Sequence, residues 1–259
     1  MNPHPAISSV CKMLKLLSCG MCLVLGLWTG SALGSGASAE TAFQSGIEAY
    51  RAGDFTAAAK AFTESAAQRP TSGAFQNLGN AEWQRGRPGY AIVAWERALW
   101  VNPRNVEAQN DLRFARKTAQ LESPTMALYE VVSSWLPASW WAWLAGTSLW
   151  VAIGAVMLPV WLRTRRTTWH QGVAAMGLTI FLLSVPAHFG IMSRARQAFV
   201  LQKDTALRLT PTAEAQAITR LSAGEPARFI KARGNYVMVR TSRGIGWLNR
   251  DDLGWINPA

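Results

Sequence analysis

The distribution of hydrophobic residues divides the chain into segments with different patterns. Two long uncharged runs, residues 140–162 and 172–192, contain 23 and 21 residues. At about 1.5 Å rise per helical residue, each run covers the roughly 30 Å hydrocarbon core of a bilayer. Residues 163–171, between them, contain three arginines and no acidic residue. This pattern predicts a transmembrane helical hairpin whose basic loop stays on the cytoplasmic side.

Tryptophan positions favour the same interpretation of the two runs. Trp140, Trp141 and Trp143 lie at one edge of the predicted hairpin, and Trp161 and Trp169 lie at the other. Tryptophan is enriched where a bilayer meets water, so these positions are typical of interfacial belts. The alternative is a buried helical hairpin inside a soluble domain.

Residues 1–39 have the order of a secretory signal. Lys12 and Lys15 precede an apolar run at 16–28, and the small residues at 37–39 follow it. This order predicts export, with cleavage after Ala39, and an uncleaved signal anchor is the competing interpretation. Either version exports residue 40 onward, which agrees with a cytoplasmic arginine loop. We therefore expect a bacterial inner-membrane protein whose globular domains are periplasmic.

An internal repeat marks residues 40–122. Residues 46–70 align with residues 79–103 at a constant offset of 33, which pairs glycines, aromatic residues and prolines in register. The period and these residue types are similar to tetratricopeptide repeats, which have about 34 residues. The expected fold is two repeats followed by a capping helix that begins after Asn105.

Each repeated residue has a physical role in this fold. Gly46 and Gly79 let paired helices approach, and Phe62 and Trp95 fill the space between them. The first helices of such arrays line a concave face, which is the expected partner-binding groove for a peptide or protein segment. Tyr50, Trp83 and Phe114 have the alternative of being core residues. The predicted groove residues are Phe43, Ile47, Tyr50, Gln76, Asn80, Trp83, Gln84, Asn110 and Phe114.

Residues 123–139 link the repeats to the hairpin. Their apolar positions between Met126 and Leu136 fall near helical spacing and are bounded by Pro124 and Pro137. This spacing predicts a short amphipathic helix lying on the membrane surface. A helix packed on the repeats is the alternative.

Residues 194–259 change to short runs that alternate apolar and polar residues, as half-buried strands do. Glycine and proline separate the runs, and segments beginning at Gly224, Gly234 and Gly244 resemble the bacterial type of SH3 domain. The resemblance implies a small all-β barrel that binds peptide or cell-wall material. It departs from that family where Tyr236 replaces the usual tryptophan. Candidate groove residues are Tyr236, Trp247 and Trp255, although a tryptophan in a final strand is more often core.

The net charge of +11 is distributed unevenly along the chain. Residues 40–122 contain 10 basic and 9 acidic residues, whereas residues 194–259 contain 11 and 5. Without a dense basic run interleaved with aromatic residues, a nucleic-acid role is not expected. The basic C-terminal segment is better suited to attract anionic lipid or wall polymer than to bind nucleic acid.

Few residues of this sequence are suited to catalysis or metal binding. All three cysteines precede residue 40, and the three histidines (His4, His170 and His188) are scattered among the predicted signal, loop and membrane segments. We therefore expect no catalytic residues, no metal site and no cofactor.

The order of export signal, repeats, hairpin and SH3-like segment resembles the BatE family of the Bacteroides aerotolerance operon. Residues 75–81 and 90–99 carry most of this resemblance. It implies von Willebrand A-type membrane proteins and a MoxR-type ATPase as partners, and a role in stress tolerance or envelope assembly.

The expected function is a non-enzymatic membrane-anchored scaffold. The alternative is a tether or sensor that binds the cell wall through the SH3-like segment. Both modules are expected to stand a hairpin's width apart, free to engage one partner together.

Overall fold

The computed structural model of the chain describes residues 32–163 and 167–257. The predicted signal residues before 32, with their three cysteines, and Arg165 and Arg166 of the loop lie outside the described residues. The described part is mostly helical, with a separate antiparallel sheet of seven strands. Its helices are α1 Ala32–Arg51, α2 Phe55–Gln68, α3 Ser72–Gln84, α4 Pro88–Val101, α5 Val106–Thr118, α6 Leu128–Ser133, α7 Ala138–Trp161 and α8 Thr168–Arg194.

Helices α1–α5 pack one after another into a helical array. A Cβ atom on Gly46 of α1 would lie 2.6 Å from the Phe62 ring of α2, and one on Gly79 of α3 would lie 2.5 Å from the Trp95 ring of α4. The two contacts are equivalent and lie 33 residues apart, so one glycine–aromatic contact recurs in both helix pairs. Larger residues at either glycine would force the paired helices apart.

The turns of the array follow from local chemistry. Gly53 and Gly86 end the first helix of each pair with φ values of +80° and +71°, which glycine adopts without steric cost. Asp54 then caps α2 by accepting hydrogen bonds from the backbone N–H groups of Thr56 and Ala57. Asn105 caps α5 in the same manner.

Helix α1 runs through the predicted cleavage site. Ala39 is buried, and its carbonyl accepts a 2.9 Å hydrogen bond from the Ser65 hydroxyl of α2. Cleavage after Ala39 would therefore remove the first two turns of α1.

Helices α7 and α8 form the hairpin, and both are long and apolar enough to cross a membrane. Only 22% of the most apolar 18-residue stretch of each helix is buried, whereas the core helix of a soluble domain is mostly buried. The two helices approach closely at Gly177, where a Cβ would lie 2.7 Å from the Ser148 carbonyl oxygen.

The seven strands pair in the order β3-β2-β6-β5-β4-β1-β7, and each pairing is antiparallel. The sheet has its own apolar core, whose centre is formed by Val200, Leu207, Val237, Val239 and Leu248. The strands are β1 Gln197–Val200, β2 Thr205–Arg208, β3 Ala217–Leu221, β4 Pro226–Arg233, β5 Tyr236–Thr241, β6 Gly244–Asn249 and β7 Leu253–Trp255.

The linker differs from the amphipathic helix expected across residues 126–136. Helix α6 covers only six residues, and it packs against α8 rather than against the helical array. Gly190 of α8 permits this contact, because a Cβ there would lie 2.3 Å from the Tyr129 carbonyl oxygen. Leu128 and Trp135, which the expected helix would have placed on one apolar face, are exposed.

The expectation that the two globular modules stand apart is wrong. Phe199 of β1 and Ile256, just after β7, belong to the same buried cluster as the core of the helical array. The Arg97 guanidinium of α4 donates a 2.9 Å hydrogen bond from Nε to the Trp255 carbonyl oxygen. The sheet therefore packs directly on α4.

The composition of α4 is the reason for this docking. Residues 91–96 are buried in succession, so the helix is covered by neighbouring helices on one side and by the sheet on the other. Residues 91–95 are apolar in succession, so every side of the helix over this stretch needs to be covered. Its counterpart α2 has outward polar residues, Lys60 and Glu64, and among the described residues no strand packs on it as the sheet packs on α4.

Candidate functional site

The predicted groove residues of α1 are engaged within the helical array. Phe43, Ile47 and Tyr50 are each half-buried. The Phe43 ring lies 5.7 Å from the Phe62 ring, and the Tyr50 ring lies 5.2 Å from the Phe55 ring, edge to face. These aromatic contacts stabilise the first helix pair and leave only part of each side chain for a ligand.

Two predicted polar residues of α3 bind other helices of the array. The Asn80 side-chain oxygen accepts a 3.0 Å hydrogen bond from the Trp95 indole nitrogen. Gln76 donates to the Glu107 carboxylate at 2.7 Å and accepts from the Asn105 amide at 3.0 Å. Both side chains therefore satisfy polar groups of the array itself.

Two aromatic residues on the predicted face meet at its open end. The Trp83 ring lies 5.9 Å from the Phe114 ring, edge to face, and 5.8 Å from the Trp95 ring. Phe114 is 61% exposed, although its ring rests on half-buried Trp83. We call these two residues, Trp83 and Phe114, the aromatic patch.

Exposed amides lie next to the aromatic patch in sequence. Gln84 follows Trp83 at the end of α3, and Asn110 precedes Phe114 by one turn of α5. Asn110 accepts a 3.3 Å hydrogen bond from Arg113, which leaves its amide N–H groups for another acceptor. The face thus offers an apolar surface with hydrogen-bonding groups beside it.

The three candidate residues of the sheet do not share one groove. Tyr236 and Trp247 lie on the same face of the β5–β6 pair, where Lys231 places its ammonium 5.7 Å from the Trp247 ring. Trp247 is only 7% exposed. Trp255 lies on β7 at the sheet edge that meets α4, and its ring packs on Phe229 at 5.9 Å.

The structure also reveals a buried carboxylate that the sequence analysis missed. Glu130 of α6 is fully buried. It accepts hydrogen bonds from the Ser193 hydroxyl of α8 and the Arg228 guanidinium of β4, both at 2.5 Å, and from its own helix start at Ala127. One side chain thus joins the linker, the hairpin and the sheet.

The hydrogen bonds determine the charge state of Glu130. Burial by itself raises the pKa of a carboxyl. The Ser193, Ala127 and Arg228 donors together outweigh that effect and hold the pKa of Glu130 below its ordinary value. A sequence signal existed, since Glu130 is the only acidic residue between positions 123 and 203.

A second buried carboxylate joins the helical array to the hairpin. Glu96 of α4 forms an ion pair with Arg116 of α5 and interacts with Arg194 at the end of α8. Burial raises the pKa of Glu96, and the two arginines oppose that shift. The Arg194 guanidinium also lies 5.4 Å from the Trp100 ring centre. The hairpin end is therefore held by charged contacts on both α4 and α6.

Within the part of the chain that the structure describes, no group of three His, Cys, Asp or Glu side chains could hold a metal ion. Searches for relatives found no protein-family model and no curated protein that matches this chain.

Proposed function

We propose that this protein is a membrane-anchored scaffold that holds a segment of another protein against its helical array. In this proposal α1–α5 are two tetratricopeptide repeats with a capping helix, and the seven-stranded sheet is an SH3-like module. The hairpin anchors both modules at the periplasmic face of the inner membrane. The recurring Gly46–Phe62 and Gly79–Trp95 contacts support the repeat assignment.

The exposure of Phe114 is the observation that carries the proposal. Most aromatic and polar side chains of the predicted groove are engaged inside the array, whereas Phe114 exposes most of its ring. A partner segment would cover that ring and the edge of Trp83, and it would hydrogen-bond to Gln84 and Asn110. Buried aromatic anchors of this kind dominate the binding energy of protein interfaces.

We predict that replacing Phe114 by aspartate abolishes partner capture while leaving the fold intact, because the exposed ring contributes little to the core. A photo-crosslinking amino acid at position 117 of the full chain, an exposed position one turn after Phe114, should give a discrete crosslinked product in native membranes. We expect the Phe114→Asp variant to lose that product by at least about tenfold, since a buried aromatic anchor often contributes more than 1.4 kcal/mol.

Leu209→Asp is the matched control for this experiment. Leu209 is an exposed apolar residue of the sheet module, so its replacement makes the same chemical change away from the aromatic patch. Equal crosslinking in Phe114→Asp and Leu209→Asp would count against the patch as the binding surface.

The membrane topology has its own test. The basic loop predicts that a reporter fused after Arg166 lies in the cytoplasm and that a reporter fused after Ala259 lies on the exported side. Alkaline phosphatase, which is active only when exported, and a fluorescent protein that fluoresces only in the cytoplasm would each be fused at both positions. The opposite pattern at either position would overturn the proposed orientation.

The wall-binding alternative has less support from the described residues. The Trp255 ring packs on Phe229, its carbonyl oxygen accepts from Arg97, and Trp247 is almost fully covered. Tyr236 and Trp255 are each half-buried, on different strands of the sheet. The von Willebrand A-type and MoxR-type partners stay proposals that rest on the sequence resemblance alone.

A further inference from the structure

An open cavity lies where the helical array meets the exported end of the hairpin. It has a volume of about 560 Å³ and is bounded by α4, α5, the segments on either side of α6, and the last residue of α8. Its charged lining consists of Arg104, Arg116, Arg194 and Glu96. Three guanidinium groups against one carboxylate make it a cationic site.

The hydrogen-bonding capacity of this cavity is only partly used. Glu96 binds Arg116 and faces Arg194, so the single carboxylate serves two of the three arginines. Arg104 is exposed, and its guanidinium has no hydrogen bond or ion pair with any residue in 32–163 or 167–257. A guanidinium carries five N–H donors in a geometry that suits phosphate oxygens.

The positive charge extends beyond this cavity. A neighbouring cavity of about 420 Å³ shares Leu99, Gln109 and Arg116 with it and adds Arg113 and Lys117. An anion in the first cavity would therefore be near five cations and the one carboxylate of Glu96. Such a field attracts an anion more strongly than a single surface arginine does.

The cavity lies at the depth of the lipid headgroups in a membrane-inserted chain. Arg194 is two residues beyond the end of the uncharged run of α8, and Trp135 is three residues before α7 begins. Both lie within about one helical turn, roughly 5 Å, of the apolar spans. The polar interfacial region of a bilayer has about that thickness on each side.

The rim of the cavity is apolar where it faces the membrane. Trp135 and Val106 are 62% and 63% exposed, and Met126 is exposed beside them. Exposed Trp140 and Trp143 lie at the same edge of the hairpin, as interfacial tryptophans do. A ligand that fits both parts has an anionic head and an apolar body.

We infer that this cavity binds one anionic phospholipid, whose phosphate contacts Arg104 and its neighbouring arginines while the first part of its acyl chains lies over Trp135 and Met126. An anionic headgroup suits the cavity better than a zwitterionic one, because a choline cation would lie among the arginines. The site rests on the proposed membrane insertion of the hairpin, but it does not depend on which side of the membrane the modules face.

Native mass spectrometry of the full chain tests this assignment. The protein, purified in a neutral detergent, is given phosphatidylglycerol and phosphatidylcholine with identical acyl chains in equal amounts. Each arginine near an anionic lipid contributes about fivefold to its retention. We expect a single phosphatidylglycerol to be retained at least about fivefold over phosphatidylcholine, and Arg104→Gln to reduce that retention by a similar factor.

Arg69→Gln is the control, because Arg69 is an exposed arginine at the end of α2, away from the cavity. Arg116 and Arg194 are left unchanged, since removing either would take a partner from buried Glu96. Equal retention of the two lipids, or equal loss in Arg104→Gln and Arg69→Gln, would overturn the site. Displacement of the lipid by excess inorganic phosphate would show a site for free phosphate and would also overturn it.

The membrane proposal fails separately from the lipid site. A full chain that is recovered from the soluble fraction without detergent would contradict membrane insertion, and with it the lipid site. A chain that needs detergent but shows no lipid preference would contradict the lipid site alone.

Discussion

Replacing Gly89 by alanine should destabilise the folded protein by about 3 kcal/mol, which is at the upper end of the usual cost of overpacking. Gly89 is in the first turn of α4, where the sheet packs on the helical array. An added Cβ would lie 2.2 Å from the Leu201 carbonyl oxygen and 2.7 Å from that of Val200. Both obstacles are backbone atoms at the end of β1, so no side-chain rotation can relieve the contact.

Gly73→Ala is the matched control for Gly89→Ala. Gly73 is also in the first turn of its helix, α3, but a Cβ there would meet nothing within 4 Å. Alanine is the better helix former, so we expect no loss of stability or a gain of up to about 1 kcal/mol. Thermal unfolding of the two variants in detergent compares them directly.

Hydrogen–deuterium exchange identifies where the Gly89→Ala variant is altered. If the damage is loss of docking, amide exchange should rise in residues 197–201 while the helix pair α1–α2 stays protected. Equal unfolding temperatures for Gly73→Ala and Gly89→Ala would show that the sheet does not rest on α4.

The second large effect is expected at the junction of linker, hairpin and sheet. Arg228→Met should cost about 2 kcal/mol, because it removes the ion-pair and hydrogen-bond partner of the buried Glu130 carboxylate. Glu130→Gln should cost less, about 1 kcal/mol, since the partly exposed Arg228 can turn toward water. Arg233→Met, an exposed change on the same strand, is the control. A larger cost for Glu130→Gln than for Arg228→Met would contradict this account.

Acid should reduce the difference between the wild-type protein and Glu130→Gln. The folded-state pKa of Glu130 is lowered from its ordinary value of 4.5. A lowered carboxyl pKa contributes stability that is fully present above the unfolded-state pKa and is lost as pH falls through the folded-state pKa. Unfolding temperatures measured from pH 7 down to pH 3 should therefore converge below about pH 4.5. A constant difference over this range would show that folding does not lower the pKa of Glu130.

The parts of the fold that were predictable depend on local or repeated patterns. Hydropathy alone is enough to locate the two apolar helices, because a run of 23 uncharged residues has few other interpretations. The constant offset of 33 pairs Gly46 with Gly79 and Phe62 with Trp95, and it predicts two equivalent helix pairs. Turn glycines such as Gly53 and Gly86 were visible because only glycine adopts their backbone angles cheaply.

What the sequence did not show depends on contacts between distant segments. Asn80 is predicted to face the groove because it lies on a first helix of a repeat, and nothing in the sequence indicates that its oxygen accepts a hydrogen bond from the Trp95 indole. The docking of the sheet had a signal in the apolar run of α4, yet nothing local identifies Leu201 as its neighbour. Glu130 was isolated in sequence, and only the fold brings Ser193 and Arg228 to it.

The docking of the sheet on α4 also determines the order in which the molecule can be completed. Arg97 and Trp255 are 158 positions apart, and the whole hairpin lies between them. Synthesis therefore finishes the helical array long before the strands that cover it exist. Until residues 224–254 have been made, Ile92 and Val93 on α4 lack the segments that cover them. The newly made array is thus open to chaperones or to early aggregation, and the arrival of the C-terminal strands ends that interval.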